Sequence, residues 1–160
     1  MTREFSIRRA VAGDATGILR CLRSAFEPYR SSYTPAAYQD TVLTEETLEK
    51  RMNSMAVFVA LDRPGDVVGT IACRVVSPGY GHLRGMAVRN DWQGKGVAQE
   101  LLHAAEADLA ERGCTRVTLN TTDPLKRAVH FYERNGYYGS GESKNFFGMP
   151  LFGYEKVLTK

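Results

Sequence analysis

The sequence predicts an α/β fold: one domain over residues 1–160, with a mixed, mostly antiparallel sheet flanked by helices in the order βααβββαβαββ. Three observations carry that prediction. Residues 56–88 hold three consecutive β-rich runs separated by Pro-Gly turn signals, residues 96–112 hold a long run with a helical apolar period, and strand and helix patterns then alternate to the end. With 160 residues, 43% of them apolar, the chain can bury one sizeable core, and it shows no linker or repeat.

Phe5 and Ile7 alternate with polar residues, as in a half-buried strand. Asp14 is then placed as the N-cap of a helix whose apolar positions Ile18, Leu22 and Phe26 recur every four residues. Pro28 stops that helix, so residues 27–35, with two exposed-looking tyrosines, Tyr29 and Tyr33, read as a loop. Thr44 before Glu45 and Glu46 marks a second helix start, because a hydroxyl accepts from a free amide and acids suit the positive end of the dipole. Leu48, Met52 and Met55 form its buried stripe.

Residues 56–61 and 67–76, joined through Pro64-Gly65, read as a hairpin, and Pro78-Gly79 turns the chain into a third strand of the set over residues 80–88. After a loop, Leu101, Ala105 and Leu109 mark one face of the longest helix, which Gly113 stops. Val117 and Leu119 mark the fifth strand. Asp123-Pro124 reads as an N-cap followed by proline at the first helical position, opening a helix that ends at Gly136, and the residues from Tyr137 onward supply the last strands.

A formal charge of +3, with Lys and Arg scattered, speaks against a nucleic-acid groove or a polybasic membrane patch. Cys21, Cys73 and Cys114 stand too far apart for a CxxC metal site or a disulfide scaffold, so they read as reduced thiols and no metal is expected. No apolar run approaches the ~20 residues of a membrane span, and the first residues lack a signal-peptide core, so a cytoplasmic protein is expected.

Chemistry enters at Gln93-Gly94-Lys95-Gly96-Val97-Ala98, between a predicted strand and a predicted helix. Two glycines let backbone N–H groups converge, and the free amides of the helix start extend the array, so a phosphate or pyrophosphate fits there. A Gly-x-Gly loop taken alone is also an ordinary tight turn.

The stretch from Val88 to Ala98 resembles motif A of the GNAT N-acetyltransferases, (Gln/Arg)-x-x-Gly-x-(Gly/Ala), and Ala128-Val129-His130-Phe131-Tyr132-Glu133-Arg134-Asn135-Gly136-Tyr137 resembles that family's Ala-x-x-(Phe/Leu)-Tyr-x-x-x-Gly-Phe segment. The resemblance implies acetyl-coenzyme A (acetyl-CoA) as donor and a sheet splayed between strands 4 and 5 to admit it. It implies that Met86, Ala87 and Val88 present backbone groups to the pantetheine arm, and that Gln93, Gly94, Lys95, Gly96, Val97, Ala98 and, less directly, Gln99 hold the pyrophosphate. Leu125 stands where the family often has a cofactor-contacting Asn. Lys126 and Arg127 read either as contacts to the cofactor's remote phosphate or as a solvated helix face.

Two candidate catalytic residues follow. Tyr132 matches the family tyrosine that hydrogen-bonds the cofactor sulfur; the plain alternative is an aromatic core residue. A phenol near pKa 10 and a thiol near 8.5 differ by about 2 kcal/mol, which favours a hydrogen bond to developing charge over early protonation. His82 lies on the fourth strand, eleven positions before Gln93, in a slot where the histone-acetylating branch of the family carries a glutamate base. A histidine near pKa 6.5 could take that part, or could simply be a satisfied strand side chain.

The acceptor is expected to be a primary amine of a small molecule or peptide terminus, acetylated by direct transfer. Neutralising a lysine-type amine at pH 7 costs about 4–5 kcal/mol and an α-amine about 1, so a weak base favours the latter. Phe26, Glu27, Tyr29, Arg30 and Tyr33 cluster as candidate acceptor-binding residues, with Glu27 for an ammonium and the rings as an aromatic wall, unless they only pack the loop. The rival from another class is a non-catalytic acyl-CoA-binding sensor or partner module. Exposed C-terminal strands would give a homodimer an edge.

Overall fold

The computed structural model describes residues 4–122 and 125–158. The strands are β1 (Phe5–Arg9), β2 (Ala56–Asp62), β3 (Val67–Ser77), β4 (Tyr80–Val88), β5 (Arg116–Thr122), β6 (Tyr138–Phe146) and β7 (Met149–Val157). The helices are α1 (Ala15–Phe26), α2 (Pro35–Val42), α3 (Glu45–Ser54), α4 (Val97–Glu111) and α5 (Lys126–Arg134). One sheet runs β1-β2-β3-β4-β5-β7-β6, antiparallel at every step except the parallel pair β4–β5. The predicted α/β class with a mixed, mostly antiparallel sheet is what the chain forms.

The sheet is covered on both faces, so its strands alternate between two cores. On one face Leu101, Leu102, Ala105 and Leu109 of α4 pack with Ile71, Cys73, Val117 and Leu119, and α5 adds Tyr132. On the other face Ile18, Leu22 and Phe26 of α1 pack with Val57, Val59, Ala72 and Ala87. Each fully buried leucine or isoleucine contributes about 1.5–3 kcal/mol, and the two faces together hold α1 and α4 against β4.

Three local expectations are corrected. Asp14 does precede α1, but its carboxylate makes no cap to that helix; it accepts from the Val11 N–H at 2.8 Å and from the Arg8 guanidinium at 2.8 Å, tying β1 to the helix entry. The stretch read as a loop, residues 27–35, holds a 3-10 turn, Glu27–Ser32, and at its last residue begins the extra helix α2, capped by the Thr34 hydroxyl, which accepts from the Ala37 N–H at 3.2 Å. Tyr33 is buried rather than exposed, because its hydroxyl reaches Thr122 Oγ1 at 2.7 Å.

Thr44 caps α3 as its sequence demands: its Oγ1 accepts from the Thr47 N–H at 3.2 Å while Thr47 Oγ1 accepts from the Thr44 N–H at 2.8 Å. The Asp123-Pro124 start expected for α5 lies outside the described residues. No helix among the described residues is long and apolar enough to cross a membrane.

Candidate active site at the β4–β5 fork

The strands β4 and β5 pair only at Tyr80–Arg116, Gly81–Val117 and His82–Thr118, although β4 continues to Val88 and β5 to Thr122. Beyond His82 the two diverge. The bend has a local cause in β4: Thr70 faces Ala87 while Ala72 faces Arg84, so three steps on β4 oppose two on β3. Gly85 takes the extra step at φ +67°, a conformation that disfavours a side chain, and a Cβ there would run into the Arg51 guanidinium. Met86, Ala87 and Val88 follow the bulge and form the free edge. Arg89 N–H donates back to the Val68 carbonyl at 2.9 Å, so by strand alternation the Val88 N–H and C=O face the fork.

The chain then makes a 3-10 turn, Asn90–Trp92, and enters α4 through the glycine loop. Gly94 and Gly96 sit at φ +78° and +86°, and a Cβ built on either would meet no atom within 4 Å. The loop therefore needs glycine for its backbone angles and leaves open space in front of itself. Gly96 is the residue before α4, so the N–H groups of Val97, Ala98 and Gln99 have no helical acceptor and add a positive dipole end.

Neighbouring side chains hold this loop. Gln93 Nε2 donates to the Val88 carbonyl at 3.3 Å and to Asn90 Oδ1 at 3.1 Å, while its Oε1 accepts from the Arg127 guanidinium at 3.4 Å. Lys95 lies over the Trp92 ring at 4.8 Å, and Trp92 meets Phe5 edge-on at 6.4 Å. Gln99 Nε2 reaches Asn135 Oδ1 at 3.4 Å. Asn90, not singled out in the sequence, donates to the Ser24 carbonyl at 2.9 Å and anchors the loop to α1. Open space, convergent amides and a parted strand pair fit a cofactor with a pyrophosphate and an extended arm.

A family model described as the acetyltransferase (GNAT) family matches residues 18–137. The chain belongs to this family. Solved structures agree in fold. The PaiA N-acetyltransferase from Thermoplasma acidophilum, determined with coenzyme A, is 16% identical with a TM-score of 0.80 over 98% of this chain and 100% of that one. An acetyltransferase from Streptococcus agalactiae 2603 is 18% identical with a TM-score of 0.80 over 98% and 100%. The ribosomal-protein-S18-alanine N-acetyltransferase from Escherichia coli is 17% identical with a TM-score of 0.77 over 98% and 95%. This GNAT protein is an acetyl-CoA-dependent acyltransferase.

Below the fork the GNAT sheet opens into a cleft of about 600 Å³, lined among others by His82, Met86, Leu125, Tyr132, Phe26 and Tyr33. Tyr132, on α5, is buried with its ring edge-on to Phe131 at 5.5 Å and to Tyr137 at 5.7 Å. Burial drives its hydroxyl well above the usual phenol range, so it stays protonated at neutral pH. Leu125, in the place of the family's Asn, lines the same cleft.

His82 Nδ1 lies 2.7 Å from Thr118 Oγ1, and the Thr118 hydroxyl in turn reaches the Gly81 carbonyl at 3.3 Å. When that hydroxyl donates to the carbonyl, its oxygen accepts from Nδ1–H and leaves Nε2 unprotonated. The expected pKa near 6.5 is corrected: burial first, then Arg84, Arg74 and Lys144, press His82 down to about 4.

Of the five expected acceptor residues, Phe26 and Tyr33 line the cleft and Glu27, Tyr29 and Arg30 do not. Glu27 points outward, accepting from the Tyr38 hydroxyl at 3.1 Å and facing Arg30 at 3.7 Å, while Tyr29 packs beside Tyr33 and Ala37. Arg30 lies over the Tyr38 ring at 5.2 Å. Among the charged lining residues that the sequence reading missed are Asp40, Arg51, Arg74, Arg84 and Lys144. Arg84 was readable, two positions along the strand from His82 and so on its face. The others come from separate elements, and only the fold gathers them.

Proposed function

We propose that residues 1–160 form a single N-acetyltransferase domain that moves acetyl from acetyl-CoA to a primary amine of a small molecule or peptide terminus by direct transfer. One observation carries the reading: Tyr132, a protonated phenol, and His82, a neutral imidazole, line one cleft where β4 and β5 part. Acetyl-CoA, when bound, supplies the activated thioester. The glycine loop and the first amides of α4, from Gln93 to Gln99, hold its pyrophosphate, and the backbone of Met86, Ala87 and Val88 takes its pantetheine arm.

Transfer makes a nitrogen–carbon bond and breaks a carbon–sulfur bond. His82 accepts the proton that the amine sheds, through Nε2 or an intervening water, and Tyr132 donates a hydrogen bond to the departing sulfur. The cations around His82 that depress its pKa also disfavour an ammonium beside it, so the acceptor needs little further help to become neutral. Direct transfer is favoured over an acylated enzyme because all three cysteines are buried, with Cys21 and Cys73 pushed up to about 12 by burial, and none lines the cleft.

The test is thiol release from acetyl-CoA with a panel of primary amines, read beside mass spectrometry of the protein. The expected result is amine-dependent thiol release matched by acetylated amine, with no acetyl group left on the chain. Tight cofactor binding without release for any amine would favour the non-catalytic sensor instead.

A further inference from the structure

The acceptor half of the cleft carries an excess of positive charge that the chemistry above does not use. Arg51 of α3, Arg74 of β3, Arg84 of β4 and Lys144 of β6 all line it. Arg74 is the cross-strand partner of His82, Arg84 lies two residues along the same strand, and Lys144 acts on the same imidazole from the far wall. Asp40 of α2 is the acid that faces them, and it is already engaged with Arg84 at 2.8 Å. Lys50, also on the wall, faces its own helix neighbour Glu46 at 3.6 Å.

Arg51 is the distinctive member. Its guanidinium fills the space left by the absent Cβ of Gly85, at the bulge that parts the strands. Burial and the neighbouring Arg84 lower its pKa to about 10, and Asp40 offsets them only in part. No ion pair or hydrogen bond to its side chain occurs among the described residues. A part-buried guanidinium without an acceptor is costly to maintain, and its planar donors match a carboxylate or phosphate in paired geometry. The glycine loop, which takes the cofactor's phosphates, follows the C-terminal end of β4, and residues 93–99 are not part of this wall.

We propose that the acceptor is a small amine that also carries an anionic group, carboxylate or phosphate, and that Arg51, supported by Arg84, Arg74 and Lys144, binds that group while the amine faces His82. The proposal rests on the N-acetyl-transfer reading above. A neutral amine leaves the Arg51 guanidinium unsatisfied, and a polyamine adds like charge to the wall. Only an anionic acceptor satisfies the wall.

Matched pairs test this: glycine against glycinamide for carboxylate, O-phosphoethanolamine against ethanolamine for phosphate, and putrescine as the cationic member. In at least one pair the anionic amine should exceed its neutral partner by tenfold or more in kcat/KM, with putrescine poorest, and the winning pair identifies the anion. Arg51→Gln should bring that ratio toward one, mainly through KM of the anionic amine. Lys144→Gln, at the exposed rim, should lower the ratio several-fold even if the Arg51 variant does not fold. Neutral amines or putrescine turned over as well as the anionic ones, or a ratio unchanged in both variants, would overturn the proposal and leave acetyl transfer standing. No turnover of any amine, with acetyl-CoA still bound, would remove the transfer reading and this proposal with it.

Discussion

His82 and Thr118 are the last paired residues of the parallel β4–β5 ladder, and their side chains also meet across it, with 2.7 Å between Nδ1 and Oγ1. The imidazole is thereby fixed at the point where the strands part. Its position also determines how it titrates.

Because His82 has a folded pKa of about 4 against a usual value near 6.5, the unfolded chain binds more protons between those values. The stability that neutral His82 contributes is present above pH 6.5 and is lost as pH falls toward 4. Calorimetric Tm measured from pH 8 to pH 4 should fall in that window, and His82→Gln should lack part of the fall. An imidazole titrating near 6.5 by NMR would contradict this, as would a wild-type inflection at that pH in kcat/KM that His82→Gln abolishes.

Removing the Tyr132 hydroxyl leaves a ring of the same shape against Phe131 and Tyr137, so the fold should tolerate Tyr132→Phe. A hydrogen bond to a charged leaving group is worth about 1.5–3 kcal/mol, so turnover should drop roughly 10- to 100-fold while cofactor affinity stays near normal. Steady-state rates beside calorimetric binding decide it, and a wild-type rate would return Tyr132 to the core alone.

At Gly96 the backbone is left-handed and nothing stands within 4 Å of the missing Cβ. Gly96→Ala should cost stability of only about 1–2 kcal/mol, from the backbone angle. Gly96→Glu should do the same to stability and abolish cofactor binding, since a carboxylate would stand where the phosphate is proposed to lie. Unchanged affinity by calorimetry would refute the loop's assignment.

The buried Glu106 of α4 accepts from the Tyr137 hydroxyl at 2.7 Å and from Lys156 Nζ of β7 at 3.1 Å. Glu106→Ala strands both donors and should cost about 3 kcal/mol in chemical denaturation. Tyr137→Phe, which leaves the ion pair whole, should cost less.

Much of this was legible in advance because local signals and tertiary demands agree. Thr44 caps a helix in the sequence and in the fold, and Pro64-Gly65 turns where two β-rich runs meet. Helix α2 escaped although Thr34-Pro35 carries the same cap-then-proline signature as Asp123-Pro124; the nearby Pro28 and polar residues suggested a loop. Tyr33 looked exposed because its partner, Thr122, lies 89 positions away. The cationic wall was invisible for the same reason: its members are spread over four elements, and charge scattered along a chain says nothing about charge gathered in space.

The bulge at Gly85 leaves the sheet unfinished in its middle. A ligand held by the native fork and not by the unfolded chain deepens the native well by RT ln(1 + [L]/Kd), about 2.7 kcal/mol at a hundredfold excess over Kd. With acetyl-CoA held in the fork as proposed, donor supply would stabilise the fold as well as feed the reaction.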